Sequence, residues 1–211
     1  MEYVDLSPYR YQESPLPMLS VGWLGPGGGV QGAGSRPVDD ADLRRIRDAS
    51  VHLSSRMLGF HECEFCAEGS RVRGNGEYHY YLSSGESYAA PAMIVHYMEV
   101  HGYRPPEQFR DGLHATAEPA WDDRADRLRG LLLDTAEDLE FRCKAITELP
   151  HWRHPAAFEA LLQVAQDDEL VDIAGDQIGM ALAAYEGAPF AMDLANRDLP
   201  SFVRLGMGAV Q

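Results

Sequence analysis

The pattern of apolar and polar residues changes near residue 115. Up to Leu113 the chain is rich in Gly, Pro and Tyr and contains short alternating stretches. Beyond it, Ala, Leu, Asp and Glu recur with the spacing of amphipathic helices. Because strands alternate with a period of two and helices with a period of about 3.6 residues, we predict an α+β domain over residues 1–114 and an all-helical domain over residues 115–211.

Within the first part, the pattern predicts a hairpin followed by a helix. Glu77–Leu82 and Glu86–Ala89 read as two strands that are joined by a short polar turn. Pro91 is typical of the first turn of a helix, and we expect that helix to extend to His101. The glycine-rich run at residues 25–34 lacks the Gly-Lys-Ser/Thr ending of a phosphate-binding loop, so it predicts a flexible loop.

The second part predicts four helices, at about residues 120–133, 136–149, 155–166 and 169–185. A weak internal repeat with an offset of 29 residues aligns three apolar positions with three others: Phe141, Ala145 and Leu149 with Leu170, Ala174 and Ile178. Helical repeat proteins are built from helix pairs that stack on one another and bury a shared apolar face. The stretch resembles HEAT-type repeats, although a plain helical bundle would give much the same pattern. The remaining residues, 187–211, are expected to be irregular, with Pro189 and Pro200 as helix breakers, and can pack back on the helices as a cap.

Charge narrows the range of functions. The chain has 33 acidic and 18 basic residues and a net charge of −15, which argues against binding to nucleic acid or to anionic membranes. No apolar run approaches the ~18 residues of a spanning helix, and the N-terminus does not look like a signal peptide. We expect a cytoplasmic protein. Residues 113–211 are the more acidic part, which indicates a solvated face or, alternatively, a surface for a basic protein partner.

The clearest chemical signal is a set of soft metal ligands. Cys63 and Cys66 form a C-x-x-C pair, and His96 and His101 follow about thirty residues later. Two thiolates and two imidazoles can fill the tetrahedral shell of zinc. Five residues do not lie on one face of an ideal helix, so His101 must lie on a loosened last turn, which Gly102 allows. We therefore predict a zinc site that joins a knuckle to a helix across a small sheet.

His61 leaves a second interpretation open. It lies two residues before Cys63 and could replace either helical histidine. A metal with three protein ligands and a bound water would be a catalytic site, for which a nearby acid could act as general base. The candidate bases near the cluster in sequence are Glu62, Glu64, Glu77 and Glu99. Because a residue two before Cys63 is expected to point away on a mobile loop, we favour His96 and His101 as ligands.

The first part also resembles a known family. The residues that carry the resemblance are Gly59–Cys66 with its H-x-C-x-x-C, Asn75–Glu77, and Tyr88–Phe109 with A-P-A-M-I-V-H-Y-M-E-V-H-G-Y-R-P-P. These motifs are similar to those of an uncharacterised bacterial family that is frequent in actinobacteria. The resemblance covers about residues 1–112. It implies a small zinc-binding α+β domain and no particular activity, and the helical part lies outside it.

Three functions are consistent with these patterns. The first is a zinc-binding protein with an acidic helical interaction module and no catalysis. The second is a zinc-dependent hydrolase with an open metal site near His61, Glu77 and Glu99. The third is an immunity or regulatory protein that binds a basic partner through the acidic helices. The number of protein ligands separates the first two, and neither the partner nor the oligomeric state follows from the sequence.

Overall fold

A computed structural model describes residues 2–30, 38–51, 53–69, 71–115 and 118–209. The chain divides into two compact units. The first comprises residues 1–13 and 17–117, and the second comprises residues 14–16 and 118–211. Part of the expected glycine-rich loop, residues 31–37, lies outside the described residues. Nowhere in the described ranges is a helix both long enough and apolar enough to cross a bilayer.

The first unit is built on a mixed sheet. Its described strands are β1 (Leu19–Ser20), β2 (Ser55–Glu62), β3 (Arg73–Tyr81) and β4 (Ser87–Pro91), in the spatial order β1-β4-β3-β2. β1 runs parallel to β4, whereas β3 is antiparallel to both β4 and β2. Three helices accompany the sheet: α1 (Asp40–Ala49), α2 (Ile94–His101) and α3 (Glu107–His114). The predicted α+β class is therefore confirmed.

The predicted hairpin is present, but its ends differ from the expectation. β3 begins at Arg73, four residues before the predicted start, and β4 continues through Pro91. Pro91 lies opposite Glu77 in the ladder, and the helix begins only at Ile94. The prediction of Pro91 in a first helical turn is wrong because pairing with β3 holds this residue in the strand, where a proline is tolerated at an end.

The core of this unit is formed by aromatic and aliphatic side chains from the sheet and from the helices that cover it. Phe109 of α3 packs against Tyr80 and Tyr88, with ring centroids 5.1 and 5.0 Å apart. Ile94 and Met98 of α2 are fully buried in the same cluster. α2 is thus fixed against the sheet through one face, and the residues on its other faces are held in place with it.

The second unit is helical. Its α-helices are α4 (Asp123–Leu133), α5 (Leu139–Glu148), α6 (Pro155–Val164), α7 (Asp168–Ala183) and α8 (Ser201–Gly208). α4 packs against α5 and α6, and α7 packs against α5, α6 and α8. The aligned apolar positions point inward, because Ala145, Leu149, Leu170, Ala174 and Ile178 are completely buried. Phe141, the remaining member of the alignment, is half-buried.

A buried ion pair connects α5 to the start of α7. The Arg142 guanidinium, only 2 % exposed, donates to Asp167 Oδ2 at 2.6 Å and to the Leu132 carbonyl at 3.1 Å. Asp167 also caps α7 by accepting from the Leu170 amide at 3.2 Å. The hydrogen bond from Arg142 holds the pKa of Asp167 below its usual range. A charged arginine at this depth needs such partners, because an unpaired buried charge is strongly destabilising.

Residues near the C-terminus are more regular than expected. Instead of an irregular segment, α8 lies close along α7, and glycines form the contact. A Cβ at Gly179 would lie 2.0 Å from the Val203 carbonyl, and one at Gly206 would lie 1.9 Å from the Asp176 carbonyl. For residues 201–208 the expectation of irregularity is wrong, because packing of the two backbones, rather than intrinsic helix propensity, stabilises this short helix.

Candidate metal centre

The two cysteines of the centre lie in the turn that follows β2. The amide of Cys63 donates to the carbonyl of Val72 at 2.9 Å. This hydrogen bond joins the two ends of the connection between β2 and β3. Cys63 is completely buried, and Cys66 is partly buried three residues later. The C-x-x-C spacing thus forms a compact knuckle in which both sulfur atoms face α2.

The two histidines of the centre lie on α2. His101 is the last residue of the helix, and Gly102 follows with a φ of 69°, in the left-handed conformation that glycine adopts readily. The amides of Gly102 and Tyr103 both donate to the Tyr97 carbonyl. This helix end turns the backbone so that the ring of His101 can meet that of His96, as the sequence predicts.

Four of the six distances between the ligand atoms are close to those of a tetrahedral zinc site. His101 Nε2 lies 3.2 Å from Cys63 Sγ, 3.4 Å from Cys66 Sγ and 3.2 Å from His96 Nε2. Cys66 Sγ lies 3.4 Å from His96 Nε2. All four atoms are within 4.8 Å of one another. Bound at Zn–N and Zn–S distances of about 2.0 and 2.3 Å, zinc holds tetrahedral ligands about 3.3–3.8 Å apart.

Burial influences the protonation of the cluster. Desolvation raises the pKa of the Cys63 thiol, and the neighbouring Cys66 raises it further. Desolvation lowers the pKa of His96, as does the proximity of His101. Both effects favour neutral side chains when no ion is bound. A metal ion would therefore displace thiol protons as it binds, and the resulting two thiolates would balance the charge of a divalent cation.

Aromatic packing supports one side of the cluster. The Phe65 ring, inside the knuckle, lies 5.7 Å from the His101 ring and 6.0 Å from the Tyr97 ring, measured between centroids. Tyr97 is almost fully buried on the core side of α2. Since Phe65 packs between the knuckle and the helix, the four ligand atoms are held together by apolar contacts as well as by their own interactions.

The histidine and the acids that the open-site interpretation requires lie outside the cluster of Cys63, Cys66, His96 and His101. His61 belongs to strand β2, not to a mobile loop, and is not part of the four-residue cluster. Glu77 is completely buried and accepts hydrogen bonds from Tyr9 and, at 2.8 Å, from His79. Glu99 forms an ion pair with Arg47. Two of the candidate general bases therefore have other partners.

Glu62 and Glu64 complete the set of candidate acids. Glu62 pairs with Arg73 at 2.5 Å across the β2–β3 ladder, and Glu64 is exposed beside the buried Cys63. Neither belongs to the cluster of side chains that could hold a metal ion in the described residues. Sequence proximity to the knuckle therefore does not place a carboxylate among the ligand atoms.

Sequence reasoning missed the network around Glu77. Its carboxylate, the His79 imidazole and the Tyr81 hydroxyl lie along one face of β3, and His79 Nδ1 is 3.4 Å from the Tyr81 oxygen. The alternating positions of these three residues could have indicated the network, because residues at i, i+2 and i+4 of a strand share a face. The partner Tyr9 could not be found this way, because it lies 68 residues from Glu77 in the chain.

Comparison with known proteins gives one match. Residues 1–114 match a family described as a domain of unknown function (DUF7919). Neither the curated proteins nor the solved structures include a match to the chain. The matched region contains all four residues of the Cys/His cluster and ends at the last residue of α3.

Proposed function

The chain belongs to the DUF7919 family, and from the geometry of its Cys/His cluster we propose that it is a zinc-binding protein in which the metal has a structural role. The observation that carries the proposal is the convergence of four ligand atoms, two sulfurs and two nitrogens, with neighbouring distances of 3.2–3.4 Å. Sulfur and imidazole ligands in a tetrahedral arrangement favour zinc over the harder Mg²⁺ and Ca²⁺ ions.

The number of ligands favours a structural site. Catalytic zinc sites usually have three protein ligands and leave one position for water, whereas structural sites are closed by four. Cys63, Cys66, His96 and His101 supply four. The hydrolase alternative needs one of these positions to be open, and nothing in the placement of His61 or of the acids favours it.

We expect the histidines to differ sharply in their effect on metal content. His96→Ala and His101→Ala each remove a ligand. Zinc affinity should therefore fall by more than the ~10–100-fold that is typical when a residue hydrogen-bonded to a ligand is replaced. His61→Ala should retain one zinc per chain, because its ring is outside the cluster. Metal content can be measured by inductively coupled plasma mass spectrometry, and affinity by competition with a chromogenic chelator.

The opposite pattern would contradict the proposed ligand set. If His61→Ala loses zinc while His101→Ala keeps it, the site consists of the knuckle and one helical histidine. His101 would then be available as an acid or base, and the hydrolase would become the better interpretation. Purified wild-type protein without stoichiometric metal would refute zinc binding itself.

For the second unit we propose a HEAT-like interaction module. The proposal is supported by the two helix pairs α4–α5 and α6–α7, which pack on each other, and by the acidic surface of α7. Glu169, Asp172 and Asp176 are exposed on this helix, and its sequence contains no basic residue. Such a surface would attract a basic protein partner and make association sensitive to salt.

Charge neutralisation tests whether this surface is specific. The variant Asp172→Asn/Asp176→Asn should weaken binding of a fluorescent arginine-rich peptide, measured by anisotropy at several salt concentrations. The control Glu68→Gln/Asp48→Asn removes two exposed acids from the first unit and should have a smaller effect. Equal weakening by both variants would show that the peptide responds only to net charge, and the module would lose its support.

A further inference from the structure

An irregularity in the sheet of the first unit opens a cleft. In the β2–β3 ladder, Arg56 pairs with Gly76 and the next pair is His61 with Gly74. Four residues of β2 therefore lie opposite the single residue Asn75, and this part of β2 arches away from its neighbour, as strands do at bulges. The resulting cleft has a volume of about 230 Å³. None of the four residues of the Cys/His cluster lines it.

Aromatic and aliphatic side chains line the cleft together. Among the described residues, the phenyl, phenol and indole rings come from Tyr11, Trp23, Phe60 and Tyr97, and Leu24, Met57 and Met93 contribute aliphatic surface. The Trp23 indole N–H donates to the Ala89 carbonyl at 2.9 Å, and the Tyr11 ring lies 5.0 Å from the indole, centroid to centroid. These contacts fix the position of the indole before any ligand binds. A fixed aromatic platform loses little entropy when a flat molecule stacks on it.

Among the described residues, the polar side chains that line the cleft belong to Asn75, His61, Tyr11 and Tyr97. Asn75 is half-buried, and no residue in the described ranges exchanges a hydrogen bond with its side-chain amide. Strand alternation places Asn75 on the face of β3 that also carries Glu77. Among the described residues, no lysine, arginine or carboxylate lines the cleft. The lining therefore favours a neutral ligand over an ion.

The backbone around Asn75 requires its two glycine neighbours. A Cβ at Gly76 would lie 2.4 Å from the Ser55 carbonyl, and one at Gly74 would lie 3.0 Å from the Met93 side chain. The two glycines thus allow the Ser55 carbonyl and the Met93 side chain to approach the backbone closely. Asn75, which lies between the glycines, supplies the one side-chain amide of this segment. This is a constrained arrangement for a polar side chain that has no partner among the described residues.

We propose that this cleft binds a neutral, planar ring compound whose edge carries a hydrogen-bond donor beside an acceptor, of the size of nicotinamide or a nucleobase. The Asn75 amide offers one donor and one acceptor side by side, which complements the donor and acceptor of another amide. The aromatic walls favour flat faces. The volume is below the ~300–1,000 Å³ of pockets for drug-sized ligands, so it suits one ring or two fused rings.

The proposal can be tested on the full-length, metal-loaded protein with three probes: nicotinamide, adenine and the non-planar cyclohexanecarboxamide. Binding is measured by saturation-transfer NMR and by the shift of the Trp23 indole N–H resonance. We expect the planar probes to bind with dissociation constants on the order of 1 mM, as befits such small molecules, and cyclohexanecarboxamide to bind at least about tenfold more weakly.

Two variants and a control locate the binding. Asn75→Leu removes the amide while keeping a similar volume, and Ala92→Phe fills the cleft from its wall; each should weaken planar-probe binding about tenfold or more. Leu58→Ser changes a fully exposed residue of the same arched segment that does not line the cleft, and it should bind like wild type. If Ala92→Phe does not fold, Asn75→Leu decides alone.

Three results would overturn the proposal. The first is that neither planar probe binds at millimolar concentrations. The second is that cyclohexanecarboxamide binds as tightly as nicotinamide, since the aromatic walls would then not select planarity. The third is that folded Asn75→Leu protein, verified by its NMR spectrum, binds the planar probes like wild type.

Discussion

Removal of the proposed zinc ion is expected to unfold residues 1–114 and to leave the helices of residues 118–209 folded. The proposed ligands come from a turn between two strands and from a helix, so one ion would hold together elements about thirty residues apart in the chain. Structural zinc contributes roughly 10–16 kcal/mol of apparent binding free energy in small zinc peptides, whereas a whole domain is stable by only about 5–15 kcal/mol.

Cysteine variants provide the matched comparison for this prediction. Cys66→Ser should lower the melting temperature of the first unit and abolish its amide protection in hydrogen–deuterium exchange mass spectrometry. Cys143→Ser removes a half-buried thiol in α5, outside the cluster, and should leave both unchanged. Chelation with a strong zinc chelator should reproduce the effect of Cys66→Ser on the wild-type protein.

An unchanged melting curve after complete removal of the metal would contradict a structural role. The core around Phe109, Tyr80 and Tyr88 would then be sufficient to hold the fold. Loss of protection in residues 118–209 as well would show that the two units do not unfold independently. Hydrogen exchange distinguishes these outcomes because it reports the opening of each segment separately.

The proximity of the two cysteines and two histidines could be predicted from the sequence because much of its geometry follows from local rules. A C-x-x-C turn brings two sulfurs together by itself, and the helix end at Gly102 brings His101 round toward His96. These constraints act within five residues. Only the meeting of the turn and the helix is long-range. The presence of two cysteines and two histidines, both of which are common zinc ligands, already indicates it.

The environment of His61 could not be predicted in the same way. Whether this residue lies on a loop or on a strand depends on the pairing of β2 with β3, and the register of that pairing shifts by several residues between Arg56 and His61. Gly59 and the arched segment around it give no alternating pattern. The cleft beside Asn75 follows from this register shift, so it also has no local signature.

The helical unit also contains some features that local sequence patterns predict and others that depend on long-range contacts. The inward positions of α5 and α7 could be predicted because amphipathic spacing is a local property, and Ala145, Ala174 and Ile178 are all buried. α8 could not be predicted, because its stability depends on the close approach of Gly206 to the Asp176 carbonyl. The ion pair of Arg142 with Asp167 also joins residues 25 positions apart, and no spacing rule relates them.

Ala145→Asp is expected to destabilise the second unit by several kcal/mol, about 3–5 kcal/mol if the carboxylate remains charged in the core. Ala145 is completely buried on α5, whereas Thr147, two residues along the same helix, is exposed. Thr147→Asp is therefore the matched control, with the same new side chain on the solvent side and a cost of less than about 1 kcal/mol. Urea denaturation of both variants, followed by circular dichroism, gives the difference in unfolding free energy.

The pH dependence of Ala145→Asp separates a buried charge from a merely larger side chain. Burial would raise the pKa of the new carboxyl in the folded state above the ~3.9 of the unfolded chain. The folded state would then bind a proton that the unfolded state releases, so part of the destabilisation should disappear as the pH falls toward about 4. A cost that stays constant from neutral to acidic pH, relative to Thr147→Asp, would indicate a steric effect. A variant as stable as Thr147→Asp would show that this face of α5 does not lie in the core.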